Sequence, residues 1–222
     1  MTPFETDLQD LKTEVINMWQ MVLLQLSKAK EALLTFDKDL AREVIAKEKR
    51  VNALELKIDR DCENIFALYS PVAVDLRFLL AALKINTNLE RIGDIAEGIA
   101  KYIADSPQKF NPEMLKTAQL IEMFDGSISI LTDTQTAFEF EDTILARTIF
   151  SRDEVLDDIN KKADGNISEY IRKNLDNIPE ALYILSMIRK LERVGDQSKN
   201  IAEEIIFYIE AKVLKHNKKA AN

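Results

Sequence analysis

The sequence predicts an all-α fold made of two tandem, similar three-helix bundles. Its composition is helical in character, with 46% hydrophobic and 31% charged residues but only 5 Gly and 5 Pro among 222 residues. Apolar residues recur at helical spacing along most of the chain, and no stretch shows the strict alternation of a strand. Few turn-forming residues combined with helical periodicity predict long helices joined by short loops.

Two motifs occur twice in the same order, which indicates an internal duplication. Residues 37–42, DKDLAR, recur as DTILAR at 142–147, and LERIGD at 89–94 recurs as LERVGD at 191–196. We therefore divide the chain into a first three-helix bundle, 1–108, and a second one, 109–222.

Each copy reads as three helices of about 30 residues, and such helices with short connections pack as up-down bundles. Pro71 separates two of them and Pro179 lies in the first turn of the last, since proline ends or begins a helix. A linker at 105–112 joins the copies. The predicted helices are 5–35, 38–68, 73–104, 112–139, 142–174 and 178–215.

Charge and cysteine content exclude several classes of protein. The net charge of −8 opposes binding to a phosphate backbone, so no nucleic acid is expected as a partner. Cys62 is the single cysteine and cannot form an internal disulfide, which suits a reducing compartment. No signal peptide or apolar run of about 20 residues is present. We expect a cytoplasmic protein that meets the membrane only through partners.

Acidic and amide side chains form stripes along four of the predicted helices, at spacings of three and four residues. The stripes lie one position away from apolar rows, so they flank the core. Their members are Glu48, Asn52, Glu55 and Asp59; Asp153, Asp157, Asn160 and Asp164; Glu90, Asp94 and Glu97; and Glu192, Asp196, Asn200 and Glu203.

Facing stripes of like charge repel, so we expect positive charge between them. Arginine is one source, and we expect Arg91, Arg193 and the Asp75–Arg77 region to form structural ion pairs. Metal is the other, because carboxylate and amide oxygens are hard ligands. The Glu-x-x-His element of di-iron bundles is absent, since His216 is the single histidine. For any one carboxylate, a solvated face is the commoner interpretation.

Gly93 and Gly195 lie inside the repeated motif, each in the middle of a predicted helix. Such a glycine costs about 1 kcal/mol relative to alanine. A solvated helix face would not need it, whereas close approach of another helix or of a ligand would. Both of the latter interpretations remain open.

The residues quoted above resemble the PhoU family. The resemblance rests on LERIGD, on LERVGD followed by KNIAE at 199–203, and on PVAVDLR at 71–77, and it covers nearly the whole chain. It implies two similar three-helix bundles. It further implies an accessory regulator of the phosphate ABC transporter that acts with the ATPase subunit and with a phosphate-sensing histidine kinase. Such a regulator dampens the phosphate-starvation response, which is negative regulation.

The resemblance also implies multinuclear metal clusters of iron, zinc or manganese, with magnesium as a further choice. The implied ligand pairs are Glu90 with Asp94, Glu192 with Asp196, Asp153 with Asp157, and Glu48 with Asn52. Asparagine replaces an acid at 52, and Gly98 and Lys101 stand where the second copy has Asn200 and Glu203. We therefore expect the better-formed site in the second copy.

The function expected is that of an adaptor, with no catalytic residues. Neither a Gly-rich phosphate loop nor a Ser-His-Asp or Cys-His set is found in the sequence. One alternative is a metal-free helical scaffold whose acids dock a basic partner. Another is a metal-dependent phosphohydrolase, which would need an open, water-bearing metal position. We expect a homodimer.

Overall fold

The computed structural model describes residues 2–214, which form α-helices and one 3-10 turn. The prediction of an all-α fold with tandem helical bundles is confirmed. Six helices are long and one, α4, is short. They are α1 (Pro3–Thr35), α2 (Lys38–Tyr69), α3 (Ala73–Asp105), α4 (Pro112–Thr117), α5 (Leu120–Phe140), α6 (Thr143–Lys173) and α7 (Ile178–Glu210), with the 3-10 turn Leu175–Asn177 before α7.

The duplicated DKDLAR and DTILAR motifs begin the second helix of each bundle. The Asp37 side chain accepts hydrogen bonds from the backbone amides of Asp39 and Leu40. Asp142 caps α6 through the same pattern of amides. An aspartate at this position satisfies amides that have no partner within the helix. The repeated motif therefore marks the N-terminus of the second helix in each bundle.

Two predicted helix boundaries are wrong. The segment predicted as one helix over 112–139 is broken, because Gln119 adopts a left-handed backbone with φ 55°. This turn buries Met114 on one side and Leu120 on the other. Helix α7 ends at Glu210, where Ala211 is left-handed with φ 56°, and does not run on to 214. Residue 215, the last of the predicted helix, lies outside the described residues.

The six long helices form two groups of three. Helices α1, α2 and α3 pack on one another, as do α5, α6 and α7, and the groups meet through α3 on α7 and α1 on α5. One hydrophobic core runs through both. Trp19 of α1 is fully buried, and its indole Nε1 donates to the Leu131 carbonyl of α5 at 3.1 Å. The division at residue 108 stays a prediction.

Helices α3 and α7 run antiparallel across the junction of the two groups. Near the start of α3, the Lys84 ammonium lies 3.0 Å from the Glu204 carboxylate near the end of α7. At the opposite end, the rings of Tyr102 and Tyr183 are 5.3 Å apart. The two helices are equally long, so their LERIGD and LERVGD motifs lie side by side near the middle.

Both motif glycines admit a buried carboxylate from the neighbouring helix. A Cβ placed on Gly93 would lie 3.1 Å from Glu48 Oε2 and 3.2 Å from Val51 Cγ1. At Gly195, the Cβ would overlap Asp153 Oδ1 and would lie 2.9 Å from Leu156 Cδ1. The close-approach interpretation therefore holds for both glycines, whereas Gly165 in α6 has no neighbour within 4 Å.

No membrane-spanning candidate is found among the helices of residues 2–214, because none combines sufficient length with sufficient apolar character.

We expect Gly195→Ala to lower the free energy of unfolding by about 1–2 kcal/mol, since overpacking outweighs the gain of about 1 kcal/mol in helix propensity. Gly165→Ala is the matched control, because its new methyl group meets only open space. It should raise stability by up to about 1 kcal/mol. Urea denaturation followed by circular dichroism measures both. Equal stability of the two variants would contradict the close-approach interpretation.

Candidate functional site

The candidate site consists of two related carboxylate clusters, one in each bundle. The first-copy cluster lies where α2 passes Gly93 of α3, and the second-copy cluster lies where α6 passes Gly195 of α7. Each centres on one buried acid, Glu48 in the first and Asp153 in the second. The two clusters therefore depend on equivalent helix contacts. They differ in which group compensates the charge of the buried acid.

Glu48 is 5% exposed and forms no salt bridge with a cation of residues 2–214. The amide Nε2 of Gln25, from α1, donates to Glu48 Oε2 at 2.9 Å, while Glu48 Oε1 has no hydrogen-bond partner. Burial raises the pKa of Glu48 to about 7, the Gln25 hydrogen bond opposes this, and the charges of Asp94, Glu97 and Glu90 add to it. A proton or a bound cation would compensate the negative charge of the Glu48 carboxylate near neutral pH.

The acids around Glu48 are electrostatically coupled. Burial raises the pKa of Glu90, and the charges of Asp94 and Glu55 raise it further while Arg91 lowers it. Burial likewise raises the pKa of Glu55, followed by the charges of Asp59 and Asp94. Protonation at one of these carboxylates therefore favours ionisation of its neighbours.

Asn86 fixes the far end of this stripe. Its side-chain amide donates to Asp59 Oδ1 and to the Glu55 carbonyl, both at 2.9 Å. Asn52 is exposed on α2. The structure thus places Glu48, Glu90 and Asp94 in one electrostatic neighbourhood and leaves Asn52 facing solvent.

Asp153 is 2% exposed and meets an internal cation. The Lys199 ammonium donates to Asp153 Oδ2 and, at 2.9 Å, to Asp196 Oδ1. Burial alone would lower the pKa of Lys199, but its hydrogen bonds to the two aspartates raise it. Burial raises the pKa of Asp153 and the Lys199 contact opposes this. The lysine bridges α6 and α7 and offsets part of the negative charge of the second-copy cluster from within.

The remaining predicted ligands of the second copy surround this bridge. Burial raises the pKa of Glu192, followed by the charges of Asp196 and Asp157, so the three carboxylates share one neighbourhood. Asn200 and Glu203 lie farther along α7 and are half-buried. Among the described residues, Asp153 Oδ1 has no hydrogen-bond partner.

Sequence patterns alone did not identify the role of Lys199. Aligning the two motifs places Lys199 opposite Glu97 of the first copy, so a cation stands where the first copy has an acid. The available signal was its position three residues after Asp196, on the same helix face. The expectation of a better metal site in the second copy took no account of this ammonium.

A preformed metal cage is not found in residues 2–214, because no three Asp, Glu, His or Cys side chains converge closely enough to hold an ion. The donor chemistry nevertheless suits a hard cation, and Glu48 Oε1 and Asp153 Oδ1 are buried oxygens without partners. A metal would thus require other rotamers of the acids around them.

The ion pairs expected of four residues are not formed within the described part of the chain. None of Arg91, Arg193, Asp75 and Arg77 forms a salt bridge with another residue in the range 2–214. Arg77 Nε instead donates to the Tyr208 carbonyl at 3.1 Å and joins α3 to the end of α7. Arg91 and Arg193 line a cleft between α3 and α7. Lysine, not arginine, supplies the cation of the second-copy cluster.

Comparison with known sequences places this chain among phosphate-transport accessory proteins. A sequence model of the PhoU domain matches residues 15–103 and 120–205, one match for each bundle. The chain is 35% identical over 213 residues to the phosphate-specific transport system accessory protein PhoU homolog 1 of Thermotoga maritima, covering 96% of this chain and 91% of that protein. It is 32% identical over 213 residues to the accessory protein PhoU of Escherichia coli, covering 96% and 88%.

Solved structures agree with these sequence matches. The crystal structure of PhoU from Pseudomonas aeruginosa superposes with a TM-score of 0.89 at 28% identity, over 94% of this chain and 100% of that one. The PhoU structure from Streptococcus pneumoniae gives 0.85 at 29% identity, over 95% and 98%. The likeness extends over both bundles and their junction.

Glu48 should make stability fall as pH rises, because its carboxyl is harder to ionise when folded than when unfolded. The contribution is fully present below the ordinary pKa of 4.5 and is lost as pH rises through about 7. In metal-free protein at pH about 8, we expect Glu48→Gln to be more stable than wild type by on the order of 1–3 kcal/mol. Urea titrations from pH about 4 to 8 measure the difference, which should vanish at the acidic end.

Glu43→Gln is the control in the same helix. The Lys28 hydrogen bond lowers the pKa of exposed Glu43 to about 2. The contribution of Glu43 to folding stability is therefore present above pH 4.5 and is lost as pH falls. Glu43→Gln should therefore gain no stability at high pH. A Glu48→Gln variant that behaves like Glu43→Gln would show that the Glu48 carboxylate is not destabilised by burial.

Proposed function

This chain belongs to the PhoU family, and we propose that it acts in the cytoplasm as an adaptor that regulates phosphate uptake and phosphate-starvation signalling. Its relatives are named accessory proteins of the phosphate-specific transport system, which implies a regulatory role. The proposed partners are the ATPase subunit of the phosphate transporter and a phosphate-sensing histidine kinase. Association of two copies into a homodimer stays a prediction.

The observation that supports a regulatory site is the unbalanced charge at Glu48. Its buried carboxylate has one oxygen without a partner and lies among the like charges of Glu90, Asp94 and Glu97. Such a group is held by a proton or by an acquired cation, and each choice leaves a different charge on the α2–α3 face. A face whose charge depends on occupancy suits a protein that changes partners.

We propose that the acquired cation is a metal ion such as iron, zinc, manganese or magnesium, bound by the first-copy cluster. Glu48, Glu90 and Asp94 supply its carboxylates, and a metal would stabilise them where they now repel. Asp153, Asp157, Glu192 and Asp196 of the second copy, with Asn200 and Glu203, are weaker candidates because Lys199 already contacts two of them. There the metal would have to displace an internal ammonium.

A metal-free scaffold is the second candidate, and the Lys199 bridge favours it. One cluster already has an internal cation that pairs with two of its acids. The other would be neutralised by a proton on Glu48 or by a basic segment of a partner docked on the acidic face. The two candidates differ in whether the partner interaction depends on metal.

Co-purification with the proposed partners tests the adaptor function. The purified chain would be incubated with the transporter ATPase subunit and, separately, with the sensor kinase, in chelator and in manganese. We expect both partners to be retained, and we expect Glu48→Gln to remove any dependence on metal. The control Glu169→Gln removes one acid from an exposed part of α6. Failure to retain either partner in both conditions would contradict the adaptor proposal.

Metal content should follow the first-copy cluster. We expect elemental analysis of tag-free protein to find bound metal that is lost in Glu48→Gln/Glu90→Gln and retained in Asp153→Asn/Asp196→Asn, because Lys199 occupies the second cluster. Lys199→Gln should increase the metal content, since it exposes Asp153 and Asp196 without a counter-charge. Loss of metal only in the second-copy variant would reverse the assignment, and metal-free wild type would favour the scaffold.

A further inference from the structure

A cleft of about 430 Å³ lies where α3 meets α7, and its lining is basic. Helix α3 contributes Arg91 and Lys101, and helix α7 contributes Lys190 and Arg193. Two carboxylates, those of Asp94 and Glu97, line the same space. Four cations against two acids give a net positive cleft on a chain whose net charge is −8.

Three of these cations form no direct salt bridge within the described residues, although the charge of Arg91 also acts on Glu90. Lys101 pairs with Glu97 at 2.7 Å. Arg91, Lys190 and Arg193 form no salt bridge with any side chain of residues 2–214. Cations gathered in one small cleft repel one another. An anion that binds between them relieves this repulsion, so the cleft attracts anions from solution.

The position of Lys190 depends on a glycine. A Cβ on Gly98 of α3 would lie 2.5 Å from Lys190 Nζ and 3.0 Å from its Cε, so the lysine lies across α3 where a side chain is missing. The internal duplication does not repeat this contact. The second copy has Asn200 at the position equivalent to Gly98, and the first copy has Asn88 at the position equivalent to Lys190. Both changes occur at the same contact.

We propose that this cleft binds a small doubly charged oxyanion of the size and charge of inorganic phosphate. Guanidinium groups match the oxygens of such an anion through paired hydrogen bonds, and ammonium groups add charge. The Asp94 carboxylate accepts a hydrogen bond from a protonated oxyanion. Hydrogen phosphate carries such a proton and sulfate does not, so the cleft should prefer phosphate. The site goes beyond the adaptor function. It shares Asp94 with the first-copy cluster but requires neither metal nor a protein partner.

Phosphate binding by the full chain tests the proposal. Isothermal titration calorimetry with inorganic phosphate, in chelator and at low ionic strength, should show one saturable site per chain and weaker binding of sulfate. Gly98→Ala leaves the charge unchanged but forces the flexible end of Lys190 to shift, so it should weaken phosphate binding less than removal of the ammonium does. Gly165→Ala, which adds a methyl group in open space, should bind like wild type.

Charge variants provide the second arm. Lys190→Gln and Arg193→Gln should each weaken binding by about tenfold or more. Lys49→Gln, which removes one charge from an exposed position of α2, should have little effect. The proposal is overturned if phosphate does not bind, or if Lys190→Gln and Arg193→Gln bind phosphate as well as Lys49→Gln does. It is also overturned if binding appears only with added manganese and disappears in Glu48→Gln, because the anion would then sit on a metal of the first-copy cluster.

Discussion

The contact between a helix glycine and a buried carboxylate of the preceding helix is the constraint on which this molecule depends. It brings α2 against α3 at Gly93 and α6 against α7 at Gly195. It also places an acid where it is largely shielded from water, at a cost of several kcal/mol unless another group compensates. Helix packing and the placement of the buried charge are therefore coupled, because neither the glycine nor the acid can change without affecting the other.

The two copies compensate the same buried charge in different ways. In the second copy, the Lys199 ammonium is covalently part of the chain and is always available to Asp153. In the first copy, Glu97 stands in place of that lysine, and Glu48 is left to exchange a proton or a cation with its surroundings. Duplication thus gives one cluster that contains its own cation and one that does not. This difference in the internal cation lies three residues beyond the repeated motif, at Glu97 and Lys199.

Much of the fold could be predicted from the sequence because its signals are local. Asp37 and Asp142 mark helix starts, Pro71 marks a helix end, and the glycines of the repeated motif indicate close helix contacts. The break before α5 could not be predicted, since Gln119 adopts positive φ without being glycine or asparagine.

For the candidate site, the sequence predicts which residues form the stripes but not which groups they contact. The acidic stripes follow from helical periodicity and lie beside the core as expected. The partner of each stripe depends on how one helix is rotated against its neighbour, and residue spacing does not contain that information. Lys199 was therefore missed as the bridge between α6 and α7, and arginines were expected where they form no ion pair. Whether metal enters either cluster stays a prediction.

The indole of Trp19 has a practical consequence. It is the single tryptophan of the chain, and its hydrogen bond to Leu131 crosses from α1 to α5, where the two bundles meet. Its intrinsic fluorescence therefore reports on one place, the junction of the duplicated halves, and not on an average over the molecule. A shift of its emission to longer wavelength would signal that water has entered between the halves. Slippage at the junction could thus be followed in the unlabelled protein while circular dichroism, which reads the helices themselves, stays unchanged.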